Sequence, residues 1–279
     1  MDTVSIDSRT LYAQLGSASA PHILDTRKDK AYDAHDRVLP ATIRTGPDPS
    51  AFAASHTPDR PVPGSPFNGG RIVTYCVYGH EVGQNAAAML RDKGFDAVYL
   101  EGGIDEWAKA GLPTVKRRAD WRVPGGSRWI TRERPKIDRI ACPWLIRRFI
   151  DPLATFDYVP KATVFDEAKA RSAVPYDIPG AVVTHRGERC SFDALIEDFG
   201  LDDPALDRLA TIVRGADTDR LDLAPQCAGL LATSLGLSQR YADDHEMLEH
   251  AMPVYDGLYA WCRRENAGTN ERHAWEPVA

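Results

Sequence analysis

Over its first 115 or so residues the chain alternates short apolar runs with helix-forming stretches. That alternation restricts the fold more than any other feature. "IDSRTLYAQLG" has helical spacing, with Asp7 or Ser8 at the N-cap position. "HILDTR" reads as a short strand and "KDKAYDAHD" as a short polar helix. "RIVTYC" is β-branched and aromatic, "GQNAAAMLRDKG" is rich in helix formers and stops at Gly94, "DAVYLEGG" is a strand and "IDEWAKAG" a helix. Strand and helix in strict turn imply parallel strands joined by crossover helices, hence an α/β sheet. Residues 40–70 interrupt the pattern with seven prolines and read as a long irregular loop.

The texture changes after "VKRRADWRVPGGSRWITRERPK", whose Pro-Gly-Gly step marks a boundary. Residues 1–118 form one predicted domain, 119–128 a linker, and 129–279 a second domain. Helical periodicity dominates the second: "RIACPWLIRRFI", "CSFDALIEDFG", "DPALDRLATIVRGA", "APQCAGLLATSLGL" and "DDHEMLEHAMPVYDGLYAWCRRE". "ATFDYVP" and "GAVVTHRGERC" are β-like interruptions, so this half is mainly helical, of the α+β class.

The net charge of −6 argues against wholesale coating of nucleic acid. Residues 116–148 nevertheless carry eleven Lys/Arg against three Asp/Glu. Such a strip either contacts an anion (phosphate, another oxyanion such as sulfate, or nucleic acid) or pairs with acidic neighbours. Trp121, Trp129 and Trp144 lie within or beside it, where aromatics either stack bases or anchor the chain. No run is long and apolar enough for a membrane span, and no basic segment followed by an apolar run opens the chain. Five scattered cysteines without a CxxC pair fit reduced thiols, so a cytoplasmic setting is expected.

Cys76 stands where strand gives way to loop, the edge at which open α/β sheets assemble their sites. Val77, Tyr78, Gly79, His80, Glu81 and Val82 would wrap from it towards the next helix N-terminus. Backbone N–H groups there are unpaired and carry partial positive charge, a cradle suited to a thiolate, a persulfide or a bound anion. The competing reading is a buried core thiol. Cys142, Cys227 and Cys262 lie in apolar helical patterns and read as core, and Cys190 as either core or a second thiol that receives sulfur or senses redox state.

Four ordered stretches here resemble the rhodanese family. They are "ILDTR" with Asp25 and Arg27 in an Asp-x-Arg signature, "AYDAHDRVLPATIR", "VTYCVYGHEVGQNAAAMLRDKGF", and "VYLEGGIDEWAKAGLPT" with Gly102, Gly103 and Trp107 in Gly-Gly-x-x-x-Trp spacing. The resemblance implies a rhodanese-like α/β fold and a sulfurtransferase. Cys76 would be its nucleophile, residues 77–82 the persulfide cradle, and Asp25 and Arg27 supporting residues. Its partners would be a small-molecule sulfur donor and a thiol acceptor, with no cofactor required. Glu81 and Val82 depart from the family pattern, and an acidic side chain at the cradle opposes thiosulfate as donor.

In the second half, His185, Glu188, Asp217 and His245 could converge on a divalent metal as a mixed His/carboxylate set. The same residues also suit ordinary work: "DDH" as a helix cap, Asp217 as a turn cap, His185 in a hairpin. "HEMLEH" places its histidines five apart, off a shared face, and is no zincin motif. "RWITRERPKIDRIACPWLIRRFID", "YDIPGAVVTHRGERCSFDALIEDFG", "IVRGADTDRLDLAPQCAGLLATSLGLS" and "DDHEMLEHAMPVYDGLYAW" resemble the C-terminal domain of ChrB-type chromate resistance proteins. That resemblance implies a role in chromate or oxyanion resistance. Three functions follow: a sulfurtransferase, a chromate-responsive sensor or transcriptional regulator, or a metal-dependent enzyme of the second half.

Overall fold

The computed structural model describes residues 4–58, 69–118, 121 and 125–264. Much of the expected linker and the last residues of the chain lie outside these. The first half is built on β1 (Ser5–Ile6), β2 (His22–Asp25), β4 (Thr42–Arg44), β5 (Ile72–Tyr75) and β6 (Ala97–Leu100), with β3 (Arg37–Val38) set apart. The five strands form one parallel sheet in the order β1-β6-β5-β2-β4. Alternate residues of each strand face opposite sides. Val73 and Tyr75 join Ile23, Leu100 and Trp107 on one face, while Ile72 joins Leu24, Phe52 and Leu90 on the other. Helices α1 (Ser8–Gln14) and α5 (Gly103–Lys109) cover the first face, and α3 (Ser50–Ser55) and α4 (Glu81–Asp92) the second; α2 (Asp29–Asp33) has no buried residue. Both faces are thus buried, as a parallel sheet requires. Asp7 is the N-cap of α1 and accepts from the N–H groups of Arg9 and Thr10.

The proline-rich 40–70 stretch is less irregular than expected: it supplies the edge strand β4 and helix α3, while 59–68 lie outside the described residues. A three-residue strand is too short to show a period between prolines.

The second half has a small parallel sheet, β10-β8-β9, from β8 (Arg128–Arg132), β9 (Thr155–Val159) and β10 (Val174–Pro175); β7 (Val115–Lys116) pairs instead with β3. Helix α7 (Val164–Arg171) packs on its Ile130 face. The Trp129 face meets α6 (Asp138–Leu145), α8 (Ser191–Asp198), α9 (Pro204–Asp217), α10 (Gln226–Arg240) and α11 (Asp244–Cys262) in the largest core. Pro143 removes one N–H from α6, and the carbonyl it leaves free, that of Arg139, accepts from the Tyr176 hydroxyl at 3.1 Å. "GAVVTHRGERC" is not a strand but a set of turns with two isolated bridges, Tyr176↔Val183 and Arg186↔Arg189.

Described residues of the expected linker are packed. Trp121 and Ser127 are buried, Trp121 against Trp129 and Phe199, and Ser127 bonded to Asp151. Trp121, Trp129 and Trp144 are therefore core and offer no open stacking face. Five of the eleven basic residues of the strip bind carboxylates of their own half: Arg128 with Asp157, Arg134 with Asp244, Arg139 with Asp177, Arg147 with Glu249 and Arg148 with Asp256. Among the described residues, no helix is long and apolar enough to cross a membrane.

Candidate functional site

Cys76 follows the last residue of β5 directly, at the carboxyl edge of the sheet, and α4 begins at Glu81. The loop between is tight. Gly79 has φ +67, and a side chain there would sit 2.6 Å from the N of Gly102 and the carbonyl of Leu100. Gly103, at φ +59, approaches so closely that a Cβ would lie 2.3 Å from the Cys76 carbonyl. This contact lets the start of α5 hold the loop. The N–H of Ile104 donates to the Cys76 carbonyl at 3.1 Å, and that of Asp105 to the Val77 carbonyl at 3.0 Å. The Gln84 side chain adds a bond to the Gly79 carbonyl at 3.0 Å. The loop's carbonyls are thus tied down and its donors left over. Among the described residues, no acceptor pairs with the backbone N–H of Val77, Tyr78, Gly79, His80, Glu81 or Val82. Free backbone donors after a cysteine, the last at a helix N-terminus, are the kind of group that an anion accepts from. Cys76 itself is 6% exposed, and its Sγ lies 3.9 Å from the His80 carbonyl. Tyr78, His80 and Glu81 face solvent. Glu81 and Val82 already belong to α4, and Glu81 in the first turn favours the helix dipole.

Asp25 and Arg27 lie one strand over, at the same edge, since Asp25 pairs with Tyr75 in register. Both are buried, with Arg27 Nη2 2.6 Å from Asp25 Oδ2 and the Tyr75 hydroxyl 2.8 Å from the same oxygen. They brace the strand ends that carry the loop.

The expected metal set is only partly assembled. His185 and Asp217 meet, with Nε2 3.2 Å from Oδ2. Glu188 and His245 stay outside: Glu188 lines a separate surface hollow with Arg189, Arg214 and Arg220, and His245 lies edge-on to Tyr158 at 5.4 Å. Two aspartates that sequence reasoning missed take their places. Asp138, first residue of α6, and Asp177 stand 3.6 and 3.4 Å from His185 Nε2. Asp138 is fully buried, its carboxylate accepting from the N–H groups of Ser191 at 2.6 Å and Phe192 at 2.9 Å, while the Ser191 hydroxyl donates to Asp177 at 2.8 Å. Burial, then Asp177 and Asp217, raises Asp138 well above the usual carboxylate range. Asp177 and Asp217 beside it raise His185 to about 10. The capping role expected of "DDH" is present: Asp243 caps α11 by accepting from the Glu246 N–H. The remaining cysteines are buried, and Cys190 does not stand ready to receive sulfur. It is 0% exposed, its thiol donates to Asp193, and burial beside Asp138 and Asp193 pushes it far up.

Residues 8–110 match the family model of the rhodanese-like domain, and residues 129–262 that of the ChrB C-terminal domain. Protein ChrB of Cupriavidus metallidurans is 38% identical over 179 residues, covering 63% of this chain and 52% of that protein. The chain thus spans about half the length of that relative. Among solved structures, a rhodanese-related protein from Thermoplasma volcanium is 21% identical and covers 40% of this chain and 96% of its own, with a TM-score of 0.32. A thiosulfate sulfurtransferase from Pseudomonas aeruginosa is 23% identical and covers 42% of this chain and 20% of its own, also at 0.32.

Proposed function

We propose, for a chain that joins a rhodanese-like domain to a ChrB C-terminal domain, a sulfurtransferase that carries sulfur on Cys76 and acts in chromate or oxyanion resistance. The observation that carries the reading is the run of six backbone N–H groups, Val77 to Val82, that follow Cys76 directly and have no acceptor among the described residues. The Cys76 thiolate attacks the outer sulfur of a donor; the S–S bond of the persulfide forms as the donor's own sulfur bond breaks, and its remainder leaves with the electron pair. The free donors hold the negative persulfide. An acceptor thiolate then takes the outer sulfur, and Cys76 leaves as thiolate. One transfer thereby becomes two easier ones. Glu81 stands exposed on the first turn of α4, next to the loop, and repels dianions such as thiosulfate, so a neutral or protein-borne donor suits the site better.

Mass spectrometry after incubation with a donor panel should show the gain of one sulfur at Cys76, absent in Cys76→Ser. No gain with any donor would remove the reading.

A further inference from the structure

We infer that Asp138, Asp177, His185 and Asp217 form a binding site for one divalent first-row metal ion of zinc's preferences, in the second half of the chain and separate from Cys76. One imidazole nitrogen, His185 Nε2, faces three carboxylates at 3.2, 3.4 and 3.6 Å. A charge-assisted hydrogen bond is shorter, about 2.7–2.9 Å, and a single N–H serves one oxygen well, not three. Asp138, Asp177 and His185 converge on one point, and Asp217 approaches it from the His185 side. The distances from His185 match a coordination shell: ligands about 2.0–2.2 Å from a tetrahedral ion lie about 3.3–3.6 Å apart. The ligand atoms of Asp138, Asp177 and His185 all fall within 4.8 Å of one another.

Charge points the same way. Three carboxylates meet there, and the one guanidinium beside them is Arg139, 3.3 Å from Asp177. The surroundings fix the ligands as metal centres require. Two N–H groups at the start of α8 orient Asp138, and the Ser191 hydroxyl orients Asp177. The backbone beside both is held in the left-handed region, at φ +41 for Ile137 and φ +48 for Asp177. Positive φ at a β-branched residue is costly and needs bracing. Ile137 has it, its N–H donating to Ser234 Oγ and its carbonyl accepting from the Tyr255 hydroxyl. His185 and Asp217 are 41% and 19% exposed, so an ion has a way in.

The test is equilibrium dialysis of the metal-stripped full chain against Zn²⁺, with elemental analysis. The expected result is one zinc per chain. His185→Gln and Asp217→Asn, at the open rim, should each weaken binding by more than about 100-fold, and Ser191→Ala by about 10-fold. Glu188→Gln should change nothing. X-ray absorption on the wild-type complex gives a reading independent of any variant: only nitrogen and oxygen neighbours at about 2.0–2.2 Å. Failure of the wild type to retain zinc, rim variants that bind as the wild type does, or sulfur in the first shell would each overturn the site.

Discussion

Cys76 and Cys190 are both buried, at 6% and 0% exposure, yet their surroundings are opposite. Cys76 precedes six backbone N–H groups that have no acceptor among the described residues, and its sulfur lies 3.9 Å from the His80 carbonyl. Cys190 caps α8 and its S–H donates a hydrogen bond to Asp193 at 3.3 Å, with Asp138 adding to the negative field. Cys142 shares that field, 3.6 Å from Asp138, and is likewise pushed well up. Burial beside carboxylates is what holds the Cys190 and Cys142 thiols protonated. Donors favour a negative sulfur, and carboxylates keep it protonated.

The largest expected effect breaks or keeps this contrast directly. Cys76→Ser should reduce sulfur transfer to the uncatalysed background, while Cys190→Ser, if folded, should retain wild-type transfer. Persulfide sulfur appearing on Cys190 under turnover would end the distinction. Next comes the ion pair under the loop. Arg27→Ala leaves the buried Asp25 carboxylate without its guanidinium and should destabilise the first half by about 3–5 kcal/mol in denaturant titration. Near-wild-type stability would mean that Arg44, 3.6 Å from the same carboxylate, is sufficient compensation.

Gly103→Ala tests how closely the cradle is held. At φ +59 a side chain costs of order 1–3 kcal/mol, and its Cβ would be driven against the Cys76 carbonyl. Displacing the loop by about 1 Å should lower turnover by about 100-fold, more than the loss of stability explains. Unchanged turnover would show that the start of α5 does not set the loop.

The two centres were not equally legible in the sequence. The α/β alternation around Cys76 is local: β5, the loop and α4 are consecutive, so the thiol's position at a strand end could be read directly. The missed part of that site, the grip of α5 on the loop, had a signal in the Gly102–Gly103 pair, whose need for close approach appears only once α5 is packed. The acidic centre gathers residues from four distant segments. His185 and Asp217 were identifiable as polar residues at turns, but Asp138 looked like any helix start. What distinguishes it is complete burial, a property of the tertiary fold. His245 and Glu188 were chosen by residue type and fell elsewhere for the same reason.

The smallest effect concerns the one feature that works against the Cys76 cradle. Glu81 puts a negative charge on the first turn of α4, beside donors otherwise suited to an anion. It is exposed, so its repulsion of an anionic donor is worth less than about 1 kcal/mol, or about five-fold in rate. Glu81→Gln should therefore raise kcat/KM for thiosulfate by about two- to five-fold at low salt and leave a neutral donor unaffected. The gain should shrink as ionic strength rises, because charges in water are screened within about 10 Å at 0.1 M salt. An equal gain with both donors would assign the effect to loop conformation rather than charge. The two centres would then differ in geometry more than in field.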